Sequence, residues 1–313
     1  MVTHAPRPTA ELKAATPRRT IGMRDSRGYR VFRVANAAAL IALCALMLYP
    51  FITVLAQSFS SEGAIKAGKV SFLPVGFNVE TYRAVVGDGT FWRNYANTFT
   101  YTVVGTLIAM VLTTTFAFVL SKPHLRGRNL LIGIAVFTMF FNGGIVPNYV
   151  LISALGMKNT MWSIVLPGAM SVFNLLVMKS FFESLPKDLE EAAQIDGLGW
   201  FGIFFRIVLP LSKAIIATMV LFYAVAYWND WFAAFLYLDQ SDKFPVTLFL
   251  RNLIAGASTT ASEGAAAAGT TTAAVSANIQ AVTMILTIIP ILCVYPFVQR
   301  HFVKGVMLGS VKG

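Results

Sequence analysis

Apolar residues in this chain collect in long runs rather than in single helical stripes or strand-like alternation. Six runs stand out, near residues 34–56, 95–120, 130–151, 161–182, 211–236 and 278–298. Each is close to the roughly 20 residues an α-helix needs to cross the hydrocarbon of a bilayer. A helix pairs its own backbone groups, which that medium requires. The pattern predicts an all-α, polytopic transmembrane bundle of six spans.

Composition agrees. Hydrophobic residues make up 56% of the chain, charged residues 12%, and the mean hydropathy is +0.66. A soluble domain carries about 25% charged residues. The net charge of +11 would by itself admit nucleic acid. Its distribution argues for membrane topology instead. Of the 25 Lys and Arg, 18 lie in the N-terminal tail, the second and fourth loops and the C-terminus, with Lys179 and Lys213 counted at the edges of the fourth loop. The first, third and fifth loops hold 7. Basic segments stay in the cytoplasm, so both termini and the fourth loop are expected inside. Cys44 and Cys293 lie in apolar runs, without metal-ligand spacing, and read as small core residues.

Residues 1–33 form a basic tail with Pro6, Pro8 and Pro17, expected to be disordered beside anionic headgroups. The run after it is long enough to be an uncleaved first helix rather than a signal peptide. Residues 34–313 then form the transmembrane domain. Lys122, Arg126, Gly127 and Arg128 make a tight cytoplasmic turn, and Lys179 is expected to snorkel to headgroups. In the outer fifth loop, 238–277, the stretch 255–274 is rich in Ala, Gly, Thr and Ser and is expected to be mobile.

The fourth loop, 184–210, carries the sharpest local signals. Ser184 is a candidate N-cap and Pro186 suits a first turn. Asp188, Glu190 and Glu191 follow, where the helix dipole favours negative charge. Gly197 suits the position past a helix C-terminus. A short helix over 186–196 is expected, with Leu189, Ala192, Ala193 and Asp196 on one face. Residues 200–209 read as an interfacial helix, and Pro210 as the turn into the fifth span.

Within this loop stand Glu191-Ala192-Ala193, then Gly197, then Ile207 and Leu209-Pro210. Their spacing resembles the "EAA loop" of permease subunits in binding-protein-dependent ABC importers. The segments Phe140 to Pro147, Asn159-Thr160, Leu166 to Ala169, Tyr227-Trp228-Asn229 and Val303 to Met307 are similar to carbohydrate permeases for pectin, xylan-fragment and alginate oligosaccharides, relatives of the maltose type. The resemblance covers about 97–313 and implies the type I ABC importer permease fold. It also implies a multi-pass location in a bacterial cytoplasmic membrane and alternating access for an oligosaccharide. The partners it implies are a second homologous permease chain, an extracytoplasmic binding protein and a cytoplasmic ATPase dimer that holds ATP and Mg. The coupling residues would be Glu190, Glu191, Ala192, Ala193, Asp196, Gly197, Ile207, Leu209 and Pro210. The fifth loop would reach the binding protein; a plain linker is the alternative.

Depth along the runs, at about 1.5 Å per residue, brings together Asn142, Asn148, Asn174, Tyr223, Tyr227, Trp228, Asn229 and Asp230 as a substrate path. Gly143, Gly144 and Pro147 should kink the third span. Aromatic faces with amide and carboxylate edges suit sugars. Other readings stay open: Tyr227, Trp228 and Trp231 as an interfacial belt, Asn142 and Asn174 as interhelical hydrogen-bond partners, and Asp230 as a solvated helix end. A permease for an amino acid or polyamine is an alternative, and a proton-coupled secondary transporter another. That transporter would need a buried ionisable relay, and the spans offer only Asp230. No cofactor or metal is expected on this chain. It has no Gly-rich lysine loop for ATP, no HExxH, and its histidines (His4, His124, His301) lie outside the runs.

Overall fold

A computed structural model describes residues 27–262 and 277–306. All the regular structure among them is helical. The helices are α1 (Arg27–Ser58), α2 (Glu62–Lys66), α3 (Glu80–Gly87), α4 (Gly89–Ser121), α5 (Arg128–Phe140), α6 (Ile145–Ala154), α7 (Trp162–Val165) and α8 (Val172–Glu183). They continue as α9 (Lys187–Ile195), α10 (Trp200–Ile203), α11 (Leu209–Leu211), α12 (Lys213–Asn229), α13 (Phe232–Tyr237), α14 (Val246–Ser262) and α15 (Ala277–Val306). The basic tail lies outside the described residues except for its last turns, which belong to α1. The low-complexity stretch of the fifth loop is helical as far as Ser262, and residues 263–276 lie outside the described residues.

Two compact units are present, Met1–Pro50 and Phe51–Gly313. The described part of the first is a helix whose apolar side chains, among them Ile41 and Leu46, are exposed. The second carries the rest.

Among the described residues, three helices are long and apolar enough to cross a membrane: α1, α4 and the part of α15 over Ala277–Val294. Three expected spans are interrupted. The third bends by 113° between α5 and α6. There Gly144 adopts φ +88°, and Asn142 Oδ1 accepts from its N–H at 2.9 Å. The expected depths of Asn142 and Asn148 along one straight helix therefore do not hold. The fourth is split into α7 and α8, parted at Pro167-Gly168. The fifth begins at Lys213 after an 83° bend and ends at Asn229, so 211–236 is not one helix.

The core is α4 packed against α8 and α12. Ala109, Ala117, Leu120, Leu175, Met178 and Met219 are almost or fully inaccessible. The α4–α12 seam needs a glycine. A Cβ on Gly105 would lie 2.7 Å from the Tyr227 ring, which also rests 3.6 Å from the Cβ position of Gly168. Several hydroxyls on α4, α12 and α15 are paired locally. Thr98, Thr114, Thr218 and Thr283 donate to carbonyls four residues back.

At the other end of α4 from Ser121, the segment after α13 is pinned. Asn97 donates to the carbonyls of Asp242 and Phe244, Tyr101 to that of Lys243, and Val246 N–H to Thr98 Oγ1. Asn278 at the start of α15 donates to the carbonyls of Gln57, Ser58 and Ser60. Gly105→Ala should destabilise the chain by about 1–3 kcal/mol through overpacking of the seam. A lowered melting temperature of the detergent-solubilised protein would show it, and an unchanged one would mean the seam yields without cost.

Candidate functional site

Just beyond the Ser121 end of α4 the chain runs through α8, α9 and α10. Ser184, the expected N-cap of α9, closes α8 instead, donating from Oγ to Phe181 O at 2.7 Å. Pro186 takes the N-cap position with extended ψ. The other end of α9 forms as expected. Gly197 has φ +82°, its N–H donates to Gln194 O, and Leu198 N–H donates to Ala193 O. These are the two bonds of a Schellman motif, with Leu198 packed in the cluster that holds Ala193.

Helix α9 has two faces. Ala193 is buried, and Glu190 is turned to Lys122, whose ammonium donates to both carboxylate oxygens at 2.5 and 2.6 Å. Both side chains are only 17% exposed, so the pair is more protected than a surface ion pair. The ammonium also lies 4.4 Å from the Phe118 ring centroid and 5.8 Å from that of Trp200, so one cation ties α4, α9 and α10. Glu190 and Ala193, expected in a docking face, thus face the chain's own core. Glu191, Ala192, Asp196 and Gly197 are exposed, together with Leu189 and Ile195.

Beside this face is a cavity of about 860 Å³, lined by Lys122, His124, Arg128, Glu183, Lys187 and Glu191 among others. Arg128 pairs with Glu183, and Lys179 donates to the same carboxylate at 2.9 Å. Lys179 is therefore an ion-pair partner rather than a lone snorkelling cation. Burial alone would raise the Glu183 carboxyl, but the hydrogen bonds and charges of Lys179 and Arg128 win and hold it below the usual carboxylate range.

The expected helix over 200–209 is three pieces: α10, a π turn at Phe204–Val208, and α11. Pro210 has no N–H to return to the carbonyl four residues back, and a shifted ladder just before it is a natural consequence. Ile207 and Leu209 are half-buried and Pro210 is exposed.

The residues proposed for a path do not converge on one cavity. Tyr223 OH lies 2.6 Å from Thr113 Oγ1 and accepts from Ser171 N–H at 3.0 Å. Tyr227 OH donates to Val165 O at 2.9 Å, and Trp228 Nε1 donates to Thr287 O at 3.2 Å. All three side chains are buried, so Tyr227 and Trp228 are interhelical ties and not an interfacial belt. Asn174 is buried at the N-terminus of α8, where its N–H donates to Ser171 Oγ. Asn142 and Asn148 are exposed and bond locally, so Asn142 is not an interhelical partner. Asn229 is exposed and Asp230 half-buried, its Oδ1 accepting from Ala233 N–H at the start of α13. The sequence reading missed Lys122 as the partner of Glu190. Its only signal was a cation at the end of the second run, and nothing local pairs it with a residue 68 positions on.

The family model described as "binding-protein-dependent transport system inner membrane component" matches residues 86–308. The chain belongs to this family. Among relatives, it is 41% identical to Protein LplC of Bacillus subtilis (strain 168), over 93% of this chain and 98% of that one. It is 38% identical to the polygalacturonan/rhamnogalacturonan transport system permease protein YtcP of the same organism, over 91% and 99%. Among solved structures, one chain of a bacterial ABC transporter involved in the import of the acidic polysaccharide alginate superposes with a TM-score of 0.79. It is 32% identical, covering 88% of this chain and 98% of that one. The fold is thus that of an ABC importer permease, and the chain is a membrane transport subunit rather than an enzyme.

Two predictions follow from the pairings. In a Lys122→Ala, Glu190→Ala double-mutant cycle read by thermal unfolding, the coupling energy should be about 0.5–3 kcal/mol; additive effects would mean the pair carries no stability. Trp228→Ala should lower the melting temperature sharply, by a loss of about 3–5 kcal/mol. An unchanged melting temperature would return Trp228 to a surface role.

Proposed function

We propose that this permease passes an oligosaccharide from an extracytoplasmic binding protein across a bacterial cytoplasmic membrane by alternating access. The relatives' names support the sugar class, and the family's description supports dependence on a binding protein. A related permease chain completes the pathway. An ATPase dimer on the cytoplasmic side binds ATP and Mg, and lipid surrounds the spans. Nucleic acid has no part. The transport unit is residues 34–313, crossing six times with both termini inside.

The observation that carries the coupling role is the build of α9. It ends in a Schellman turn, is bound to the core through Ala193 and Lys122–Glu190, and leaves Glu191, Ala192 and Asp196 free for another surface. A helix held so firmly moves as a body when its outer face is pushed. The small Ala192 permits close approach, and Glu191 and Asp196 supply charge for the groove of an ATPase. The Lys122 contact then hands displacement to α4, the central helix of the core.

Glu191→Lys combined with Gly197→Asp should leave the chain in the membrane and abolish recovery of the ATPase with it. Normal co-purification of the ATPase with that variant would remove α9 from the docking surface.

A further inference from the structure

A second recess lies at the opposite end of the bundle from α9. Its place follows from α4. Lys122 meets α9 just past one end, while Thr98 holds Val246, the first residue of α14, near the other. About 24 residues of helix, roughly 36 Å, separate the two. The recess measures about 490 Å³ and lies where α12 ends and α13 and α14 begin, lined by Asn229, Trp231, Thr247, Leu250, Arg251 and Ile254.

Arg251 is its charge. The guanidinium carbon lies 4.4 Å from the Phe235 ring centroid and 5.4 Å from that of Trp231. Both distances are within cation–π range, so two aromatic rings hold the cation in place. Nη1 donates to Asn252 Oδ1 at 3.2 Å, and among the described residues no carboxylate pairs with Arg251. The nearest acid in sequence to the rim, Asp230, has its carboxylate engaged by Ala233 N–H. Lys158 and Lys243, two further cations of this end, are engaged with Tyr149 and Asp239 and with Asn159 O.

Around the cation stand neutral hydrogen-bonding groups and an aromatic face. Asn229 donates its amide N–H to Val225 O, which leaves Oδ1 as an acceptor. Trp231 is 38% exposed. A structural cation at a helix surface has no need of this set. A sugar acid does: a carboxylate for the fork, a hydroxyl for the amide, and a C–H face for the indole.

We propose that Arg251, with Trp231 and Asn229, forms a subsite for the carboxylate of an acidic oligosaccharide at the outer mouth of the permease. Arg251 thereby separates acidic from neutral substrates. The proposal rests on the oligosaccharide reading above and narrows it. A planar bidentate pair of charge-assisted hydrogen bonds is the interaction involved, and lysine supplies the charge without the fork.

The test is uptake by the complete importer, with its partner permease, ATPase and binding protein, in proteoliposomes. The probes are trigalacturonate and the neutral trimer xylotriose. Wild type should import trigalacturonate, and Arg251→Gln should slow that uptake about tenfold to a hundredfold. Arg251→Lys should recover part of the rate. Assembly and the ATPase stimulation by binding protein should be unchanged in both variants. The subsite is overturned if Arg251→Gln transports trigalacturonate at the wild-type rate, if it impairs assembly or ATPase stimulation in step with uptake, or if wild type imports xylotriose alone. That last result would leave the oligosaccharide reading standing, whereas uptake of neither trimer would bring down both.

Discussion

Everything in this structure depends on how closely α4 and α12 approach. In hydrocarbon there is no water to take up an unpaired polar group, so helices there associate through packing and internal hydrogen bonds. The seam uses both. Gly105 removes the side chain that would hold the helices apart, and the Tyr227 ring fills the space. The Tyr223 and Tyr227 hydroxyls then find partners on α4 and on the α7–α8 segment. Trp228 extends the same device to α15. Three aromatic side chains on one stretch of α12 thus fasten three neighbours, and α4 becomes the element against which the rest is placed.

Each end of that element serves a different need. At one, Lys122 gathers Glu190, Phe118 and Trp200 around a single charge, so α9 is mechanically continuous with α4. At the other, Asn97, Thr98 and Tyr101 pin the segment that leads into α14. Asn159, with φ +56°, adds a second clasp: its amide donates to Asp239 and accepts from the backbone there, while Lys243 closes on its carbonyl. The loop after α13 is thus a built corner, and it sets Arg251 against Trp231 and Phe235. Much of the outward surface of α5 and α6 remains apolar and exposed, including Phe140, Ile145 and Val146. This is in keeping with a chain that sits in lipid.

The helical class, the membrane setting and the short helix α9 were legible in the residues alone, because each rests on a local cause. Run length against bilayer thickness needs no tertiary contact. Gly197 ends α9 because its own φ is positive, and the breaks at Gly144 and at Pro167-Gly168 fall where glycine and proline stand. What local sequence could not supply was direction. An aromatic cluster at the end of a span reads equally as a lipid-facing belt, a sugar platform or a core. Only the partners on α4, α7 and α15 decided for the core at Tyr223, Tyr227 and Trp228. Glu190 and Glu191 are neighbours of one type, yet the first turns in to Lys122 and the second out, because a helix places successive residues about 100° apart and the bundle occupies one side. Likewise Arg251 is an ordinary loop cation until α13 and α14 fold against each other. The chain's own residues determined which segments are helices and where they break; long-range packing alone determined which polar side chains are spent inside the molecule and which are left to meet something else.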